Sequence, residues 1–152
     1  MPISAKGEYA ARAMLHLALA YSKGAPAKTN DIAVQQKIPK KYLEQILLLF
    51  KKEGFVKSKP GLNGGYFLAK PPREITMAEI VRVVDGPLAP MRCVSKTGYS
   101  RCTCVAEDTC ALRTVWQEAR DAVAGVLEKV TLEEVATRAI ELARTHTATY
   151  CI

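Results

Sequence analysis

The sequence has no long apolar run, and nothing in it approaches the roughly 18 consecutive apolar residues that span a membrane. Its first residues also lack the apolar core of an export signal, so we expect a cytoplasmic protein with no membrane partner. The sequence contains no nucleophile–base arrangement and no phosphate-binding glycine loop, so an enzyme is not predicted.

Acidic residues are also scarce. The chain of 152 residues has 15 of them against 22 lysines and arginines, which gives a net charge of +7 and a pI of about 9.2. This excess of positive charge favours an anionic partner, with nucleic acid as the first candidate. The net charge alone is equally compatible with a generally basic surface. The positions of the lysines and arginines must therefore distinguish a nucleic-acid partner from such a surface.

Three helical segments and a hairpin make up the first half of the chain. Apolar residues recur at helical spacing over residues 5–21, 31–37 and 39–53. Two short strand-like runs follow, at 55–59 and 66–69, and the glycine-rich linker between them suits a hairpin turn. This order predicts a winged helix-turn-helix, whose third helix enters the major groove of DNA. The buried stripe of that helix is expected to contain Tyr42, Leu43, Ile46, Leu47 and Phe50.

The second half is predicted to be helical on both sides of one loop. Thr76 and Glu79 have the spacing of a capping box, which opens a helix to Val84. Residues 88–109 lack periodicity and are predicted to form a loop. Helical periodicity returns at Ala111. The apolar face of this next helix consists of Leu112, Val115, Trp116, Ala119, Val123, Val126, Leu127 and Val130.

This apolar face either packs within its own subunit or is covered by a second copy of the chain. Thr131 and Glu134 form a second capping box, opening a final helix to about Ala143. We therefore predict a mainly α fold with a small β-wing: a winged helix-turn-helix plus a long C-terminal helix, which is a dimerisation helix if a second copy of the chain covers its apolar face. The predicted units are a DNA-binding domain (1–72), a region with the connecting helix, cysteine loop and dimerisation helices (73–143), and a tail (144–152).

The cations cluster on the elements that would face DNA. Lys40 and Lys41 lie at the amino end of the third helix, where positive charge is unfavourable unless phosphates offset it. Glu44 and Gln45 follow one turn later and have the chemistry to contact cytosine and adenine. Two alternatives stay open: a merely solvated lysine face, and a Glu44 that pairs with Lys40 or Lys41. The predicted DNA-binding residues are Lys40, Lys41, Glu44, Gln45, Lys51, Lys59, Asn63 and Gly64.

Four of the five cysteines lie in one segment, at Cys93, Cys102, Cys104 and Cys110. In a reducing cytoplasm such a cluster binds metal or carries out redox chemistry more often than it forms structural disulfides. The spacing matches no common zinc knuckle, although zinc and a Cys102–Cys104 disulfide switch stay open. Cys151, near the end of the chain, is given no role.

Several motifs together resemble a known family. The matching segments are residues 4–10, 42–45, 64–68 and 80–85, together with the cysteine loop and Trp116. They are similar to the IscR/NsrR-type (Rrf-two) family of dimeric winged-helix iron–sulfur transcription regulators. The resemblance implies a homodimer whose C-terminal helix crosses to the partner subunit. It also implies a double-stranded DNA operator with two half-sites, in which Glu44 helps to discriminate bases.

The resemblance further implies a wing that reaches the minor groove. Many family members carry arginine just before the wing glycine, whereas this chain has Pro60 there and its nearest cation is Lys59. Minor-groove reading is therefore expected to be weaker or altered.

The family also implies an iron–sulfur cluster, [2Fe–2S] or [4Fe–4S], held by cysteine thiolates. Cys104 and Cys110 keep the family's spacing of five intervening residues. Cys93 occupies the first ligand position, but the gap between Cys93 and Cys104 is longer than in the family. IscR-like members use a histidine three residues after the last cysteine as fourth ligand. Here that position is Arg113, a permanent cation that cannot ligate.

Two candidates remain for the fourth ligand. Cys102 would complete an all-cysteine set. Glu8 stands where NsrR-like members supply a carboxylate from the other subunit, although it has a simpler alternative as the i,i+4 partner of Arg12. A switch between Cys102 and Glu8 is also compatible with the residues.

We therefore expect a transcription regulator, and more specifically a repressor, that senses redox state, iron–sulfur status or nitric oxide through the cluster. Re-ordering of the loop would shift the adjacent dimer helix and change the distance between the two recognition helices. The alternative is a cluster-free family member that acts by thiol or zinc switching or by binding a partner protein.

Overall fold

The computed structural model describes residues 3–149, which form six α-helices and one two-stranded hairpin. This is the mainly α fold with a small β-wing that the sequence predicts. Within these residues no helix is both long enough and apolar enough to cross a bilayer. The elements are α1 (Ala5–Tyr21), α2 (Thr29–Gln36), α3 (Lys40–Lys52), β1 (Val56–Lys59), β2 (Gly65–Leu68), α4 (Met77–Asp85), α5 (Ala111–Leu127) and α6 (Leu132–Thr149), with short 3₁₀ turns at Pro72–Glu74 and Arg92–Val94.

Helix α1 lies at the centre of the molecule and packs against α2, α3, α4, α6 and β2. Its inward side carries Ala10, Ala13, Met14 and Leu17, each at most 1% exposed. The alanines leave room for neighbouring helices to approach closely, while the two larger side chains fill the remaining space. This packing of α1 places α3 and the wing on the same scaffold as α4 and α6.

The wing is anchored to this scaffold by its second strand. β1 and β2 pair in antiparallel register, with Val56 opposite Leu68 and Lys59 opposite Gly65. Tyr66 also exchanges two backbone hydrogen bonds of 2.8 Å with Ala27, in the connection between α1 and α2. This isolated β-bridge attaches the hairpin to the α1–α2 connection, so the hairpin does not stand alone in solvent.

Tyr42 departs from the predicted buried stripe of α3. Its side chain is 52% exposed, and its ring packs against that of Tyr9 with the centroids 6.2 Å apart. The prediction that Tyr42 is buried was wrong because the rest of the stripe already fills the inward face of the helix. The members that are buried as predicted are Leu43, Ile46, Leu47 and Phe50.

Several helix boundaries also differ from their predicted positions, and α5 ends at Leu127, so Val130 of its predicted apolar face lies beyond the helix. Helix α2 begins at Thr29 instead of Asp31, with Lys28 as an N-cap that makes no side-chain capping bond. Helix α6 continues to Thr149, past the expected end near Ala143, because the residues that follow include no glycine or proline to stop it. Cys151 lies outside the described residues.

Both predicted capping boxes are present. The Thr76 hydroxyl accepts a hydrogen bond from the Glu79 N–H at 3.2 Å, and the Glu79 carboxylate accepts from the Thr76 N–H at 2.7 Å. Thr131 and Glu134 repeat the arrangement, with both bonds at 3.2 Å. Each capping side chain contributes about 1 kcal/mol to helix stability.

The starts of α4 and α6 are joined directly to each other. The Met77 N–H donates to the Val130 carbonyl at 3.0 Å, and the Leu132 N–H donates to the Ile75 carbonyl at 2.8 Å. Leu132 and Ile75 are both fully buried. The end of the α5–α6 connection is therefore fixed to the main hydrophobic core, to which Ile75 and Leu132 both belong.

A carboxylate from α4 closes the amino end of α1. Asp85, the last residue of α4, accepts hydrogen bonds from the backbone N–H of Ser4, at 3.1 Å, and from its hydroxyl. Ser4 in turn caps α1 by accepting from the Gly7 N–H at 2.9 Å. Gly7 leaves room for this contact, because a β-carbon at this position would collide with the Asp85 carboxylate and the carboxylate would have to move.

Replacing Gly7 with alanine should therefore destabilise the protein by about 1–3 kcal/mol, since the methyl group displaces Asp85 from Ser4. The measurement is thermal or urea unfolding in a double-mutant cycle with Asp85→Ala, in which the second change should remove most of the cost of the first. Gly125→Ala is the control, because that helical glycine has open space around it. Additive effects of the two substitutions would contradict the packing described.

Candidate DNA-reading surface and cysteine loop

The turn between α2 and α3 is tight, and the amino end of α3 that follows it is exposed to solvent. Lys37 adopts a left-handed conformation with φ of 51°, and the Ile38 N–H donates to the Ala33 carbonyl at 2.9 Å. Ile38 is buried beneath the turn, and Pro39 is the N-cap of α3 without a side-chain capping bond. The first N–H groups of α3 consequently have no side-chain acceptor at the cap.

The four predicted base- and phosphate-contacting residues of α3 share one solvent-facing surface. Lys40, Lys41, Glu44 and Gln45 are all exposed, while the opposite face of the helix is buried. None of the ion pairs formed by the described residues involves Glu44, so the alternative pairing with a neighbouring lysine is not observed. The helix thus presents two cations and two hydrogen-bonding side chains together.

Lys51 and Gly64 have structural roles beside their predicted contact with DNA. The Lys51 ammonium donates to the Ser58 hydroxyl at 2.7 Å, which links the end of α3 to the wing. Gly64 is buried in the wing turn, where a β-carbon would overlap the Lys59 carbonyl oxygen. Lys59 and Asn63 are exposed on the wing. For all these residues, contact with DNA stays a prediction.

Cys104 lies near two other loop cysteines, Cys102 and Cys110. The Cys104 N–H donates to the Cys102 sulfur at 3.4 Å, and Cys110 is the N-cap residue of α5 without a side-chain capping bond. The hydrogen bond with the Cys102 thiol, with smaller effects of desolvation and of the nearby Cys110, raises the pKa of Cys104 to about 11. Cys104 therefore carries a proton at neutral pH in this arrangement.

Cys93 is held differently from the other three. It is buried in the 3₁₀ turn Arg92–Val94, and its carbonyl accepts from the Arg113 guanidinium at 3.4 Å. Over residues 3–149 no three side chains of the metal-ligating types are gathered at one point. The loop thus supplies thiol donors, the kind that iron–sulfur clusters take, without a preformed site.

Glu8, the other ligand candidate, lies on the exposed side of α1. Its carboxylate pairs with the Arg12 guanidinium one helical turn later. This is the simpler alternative that the sequence left open, and within the single chain it is the observed one.

Glu107 is the loop residue that the sequence analysis missed. Its carboxylate is 9% exposed and accepts hydrogen bonds from the Tyr99 hydroxyl at 3.0 Å and the Cys102 N–H at 3.3 Å. Arg113 lies 3.6 Å away as its ion-pair partner. Desolvation raises the pKa of Glu107, but the hydrogen bonds from Tyr99 and Cys102 and the charge of Arg113 outweigh it, so the pKa lies below its ordinary value.

Arg113 therefore has a role, although it cannot ligate. It joins Glu107, near the end of the loop, to the carbonyl of Cys93, near its start. No periodicity or motif in the sequence could indicate this, because the partners are separated by irregular backbone. Glu107 and Arg113 thus connect the two ends of the cysteine loop, and Arg120 adds a further hydrogen bond to the Val94 carbonyl.

Replacing Glu107 with alanine should loosen this loop, since it leaves Arg113, Tyr99 and the Cys102 N–H without their shared acceptor. We expect the alkylation of Cys93 by iodoacetamide to become about tenfold faster, as its burial then depends on a weaker local structure. The rate is measured by mass spectrometry of the metal-free protein. Asp108→Ala, which removes an exposed neighbouring carboxylate, is the control, and equal rates in the two variants would refute this role.

Comparison with known proteins places this geometry among transcriptional regulators. The Rrf2 family model, described as "Iron-dependent Transcriptional regulator", matches residues 3–138. The chain is 42% identical to Rv1287 of Mycobacterium tuberculosis over 142 residues, covering 92% of this chain and 84% of that protein. It is 36% identical to the HTH-type transcriptional regulator IscR of Photorhabdus laumondii over 135 residues, covering 89% and 79% respectively.

A solved structure gives a matching fold. The global cysteine regulator CymR of Bacillus subtilis superimposes with a TM-score of 0.76 at 33% identity, covering 91% of this chain and 98% of that one. The similarity therefore extends over the winged part, the cysteine loop and the C-terminal helices.

Proposed function

Since the chain belongs to the Rrf2 family of transcriptional regulators, we propose that it is a homodimeric repressor that senses through its cysteine loop. Each subunit reads one half-site of a two-fold DNA operator. The observation that carries the DNA-reading part is the exposed amino end of α3, where Lys40, Lys41, Glu44 and Gln45 surround unpaired backbone N–H groups. Phosphates complement these cations, and the two longer polar side chains have the reach to contact base edges.

The dimer is proposed from an apolar surface that α5 leaves uncovered. Leu112, Val115 and Val126 are 65%, 53% and 60% exposed, and Trp116 lies in the same stripe. Contiguous apolar patches of this kind mark protein interfaces. The occupant we propose is the same helix of a second copy, because a two-fold operator needs two recognition helices at a fixed distance.

Two substitutions on α3 separate positioning from base reading. Lys40→Ala should weaken binding to all duplexes and lower the slope of log affinity against log salt by about 1, because one phosphate contact is lost. Glu44→Ala should mainly change which base is preferred at one position, at a cost of about 1–3 kcal/mol in discrimination.

The measurement is fluorescence anisotropy on an operator selected by the wild-type protein from random duplexes, titrated to give the number of chains per operator. Glu53→Ala, an exposed glutamate beyond the end of the same helix, serves as the control. Unchanged affinity and salt slope in Lys40→Ala would refute the proposed orientation of α3.

The sensor we propose is an iron–sulfur cluster held by Cys93, Cys104 and Cys110. The fourth ligand is Cys102 or Glu8 of the partner subunit. When bound, the cluster supplies reactivity toward oxidants and nitric oxide. Glu107 and Arg113 position the loop for it, since they connect the backbone around Cys93 with that around Cys102.

Oxygen-free loading with iron and sulfide tests this sensor. The wild-type protein should develop visible absorption, and Cys110→Ala should remain colourless, because one thiolate of the set is lost. Cys102→Ala and Glu8→Ala, loaded in parallel, identify the fourth ligand by the loss or shift of the absorption bands. Cys151→Ala is the control and should keep full colour. A colourless wild-type protein, or a Cys110→Ala variant with full colour, would overturn the cluster proposal.

A thiol switch is the second candidate, favoured by the contact between the Cys104 N–H and the Cys102 sulfur. The similarity to a regulator of cysteine in Bacillus subtilis also supports it. Hydrogen peroxide would accept two electrons and two protons from the two thiols and leave a disulfide. A colourless protein whose operator affinity changes with peroxide, and returns with dithiothreitol, would favour this candidate over the cluster.

A further inference from the structure

The tip of the wing, residues 60–63, presents a leucine where a polar or charged side chain is the ordinary choice. Leu62 is 93% exposed. The other tip residues are Pro60, Gly61 and Asn63, so the tip itself carries no charge. A single exposed leucine is common on protein surfaces and needs no explanation by itself. Leu62, however, lies on the wing, which is expected to approach the proposed DNA partner, and this position suggests a role in binding.

The backbone of the tip is held in one conformation. The Gly64 N–H donates to the Gly61 carbonyl at 3.0 Å, and Gly61 has a φ of 100°, which other residues rarely adopt. Gly64 packs so closely on the Lys59 carbonyl that no side chain fits there. Leu62 is therefore presented by a turn that cannot easily fold it back onto the protein.

The wing is also fixed relative to α3. Lys51, in the last turn of α3, donates to Ser58 in β1 at 2.7 Å. On the other strand, Tyr66 is paired with Ala27 through two backbone hydrogen bonds. When α3 lies in a major groove, these links set where the tip lies along the adjoining backbone and minor groove.

We propose that Leu62 inserts into the minor groove of the operator and is a specificity-determining residue of the wing. This inference rests on the proposed DNA-reading function. The exposed Lys57 and Lys59 on β1 complement the phosphates on either side of the groove, and the leucine contacts the sugars and base edges between them.

The chemistry of the tip dictates which sequences it prefers. A narrow A-tract groove attracts inserted cations because of its strong negative potential, and the tip has none to offer. An apolar wedge instead favours steps that unstack and widen at low cost, such as TA. The wing therefore selects deformable DNA rather than a particular base pair.

The test uses an operator selected from random duplexes by the wild-type protein, with the segment under the wing located by hydroxyl-radical footprinting. That segment is rebuilt as alternating TA steps in one duplex and as an A-tract in another. The wild-type protein should prefer the TA duplex. Leu62→Ala should lose about tenfold in affinity for the TA duplex, change little on the A-tract duplex and keep the wild-type salt slope.

The variant Leu62→Arg is expected to reverse the preference between the two duplexes. It should favour the A-tract duplex and raise the salt slope by about 1, because a cation now enters the narrow groove. Val34→Ala, which trims a 69% exposed apolar side chain on α2, is the control and should match the wild-type protein on both duplexes.

Wild-type affinity of Leu62→Ala for both duplexes would overturn this inference alone, as would a wild-type preference for the A-tract. Failure of the wild-type protein to retain any duplex during selection would overturn the proposed function, and the inference with it.

Discussion

The position of α1 is the constraint on which the rest of the molecule depends. Asp85 at the end of α4 accepts from Ser4 at the start of α1, and Gly7 makes the close approach possible. Because α1 also packs against α2, α3 and β2, this carboxylate connects the DNA-reading elements with the point where the chain leaves α4 for the cysteine loop. The α3 and wing elements and the start of the connection to the cysteine loop are therefore attached to the same helix.

Local patterns predicted most of the fold, because its helices have strong start signals and clear apolar faces. The boxes at Thr76 and Thr131 and the buried stripe of α3 follow from spacing alone. Tyr42 was misplaced because periodicity cannot distinguish the centre of a buried face from its margin, where an aromatic ring packs on a neighbour. The contact of Asp85 with Gly7 could not be predicted either, since it joins residues 78 positions apart.

The candidate site was predictable to different degrees in its two parts. On α3, exposure follows from the helical period, so the solvent-facing set needed no tertiary information. In the loop, the sequence indicated which residues could be donors but not what holds them. Glu107 and Arg113 are ordinary charged residues in sequence, and they become organising groups only because irregular backbone brings Tyr99 and Cys102 to the same carboxylate.

The two ends of α5 are attached to different parts of the molecule. Its carboxyl end is fixed to α4 by the Arg82–Glu128 ion pair and by the hydrogen bonds around Val130, whereas its amino end is held by the cysteine loop through Arg113. A helix of 17 residues is about 25 Å long. If the carboxyl end stayed fixed, a rotation of about 5° would displace the amino end by about 2 Å, a shift comparable to those at interfaces that switch between packing states.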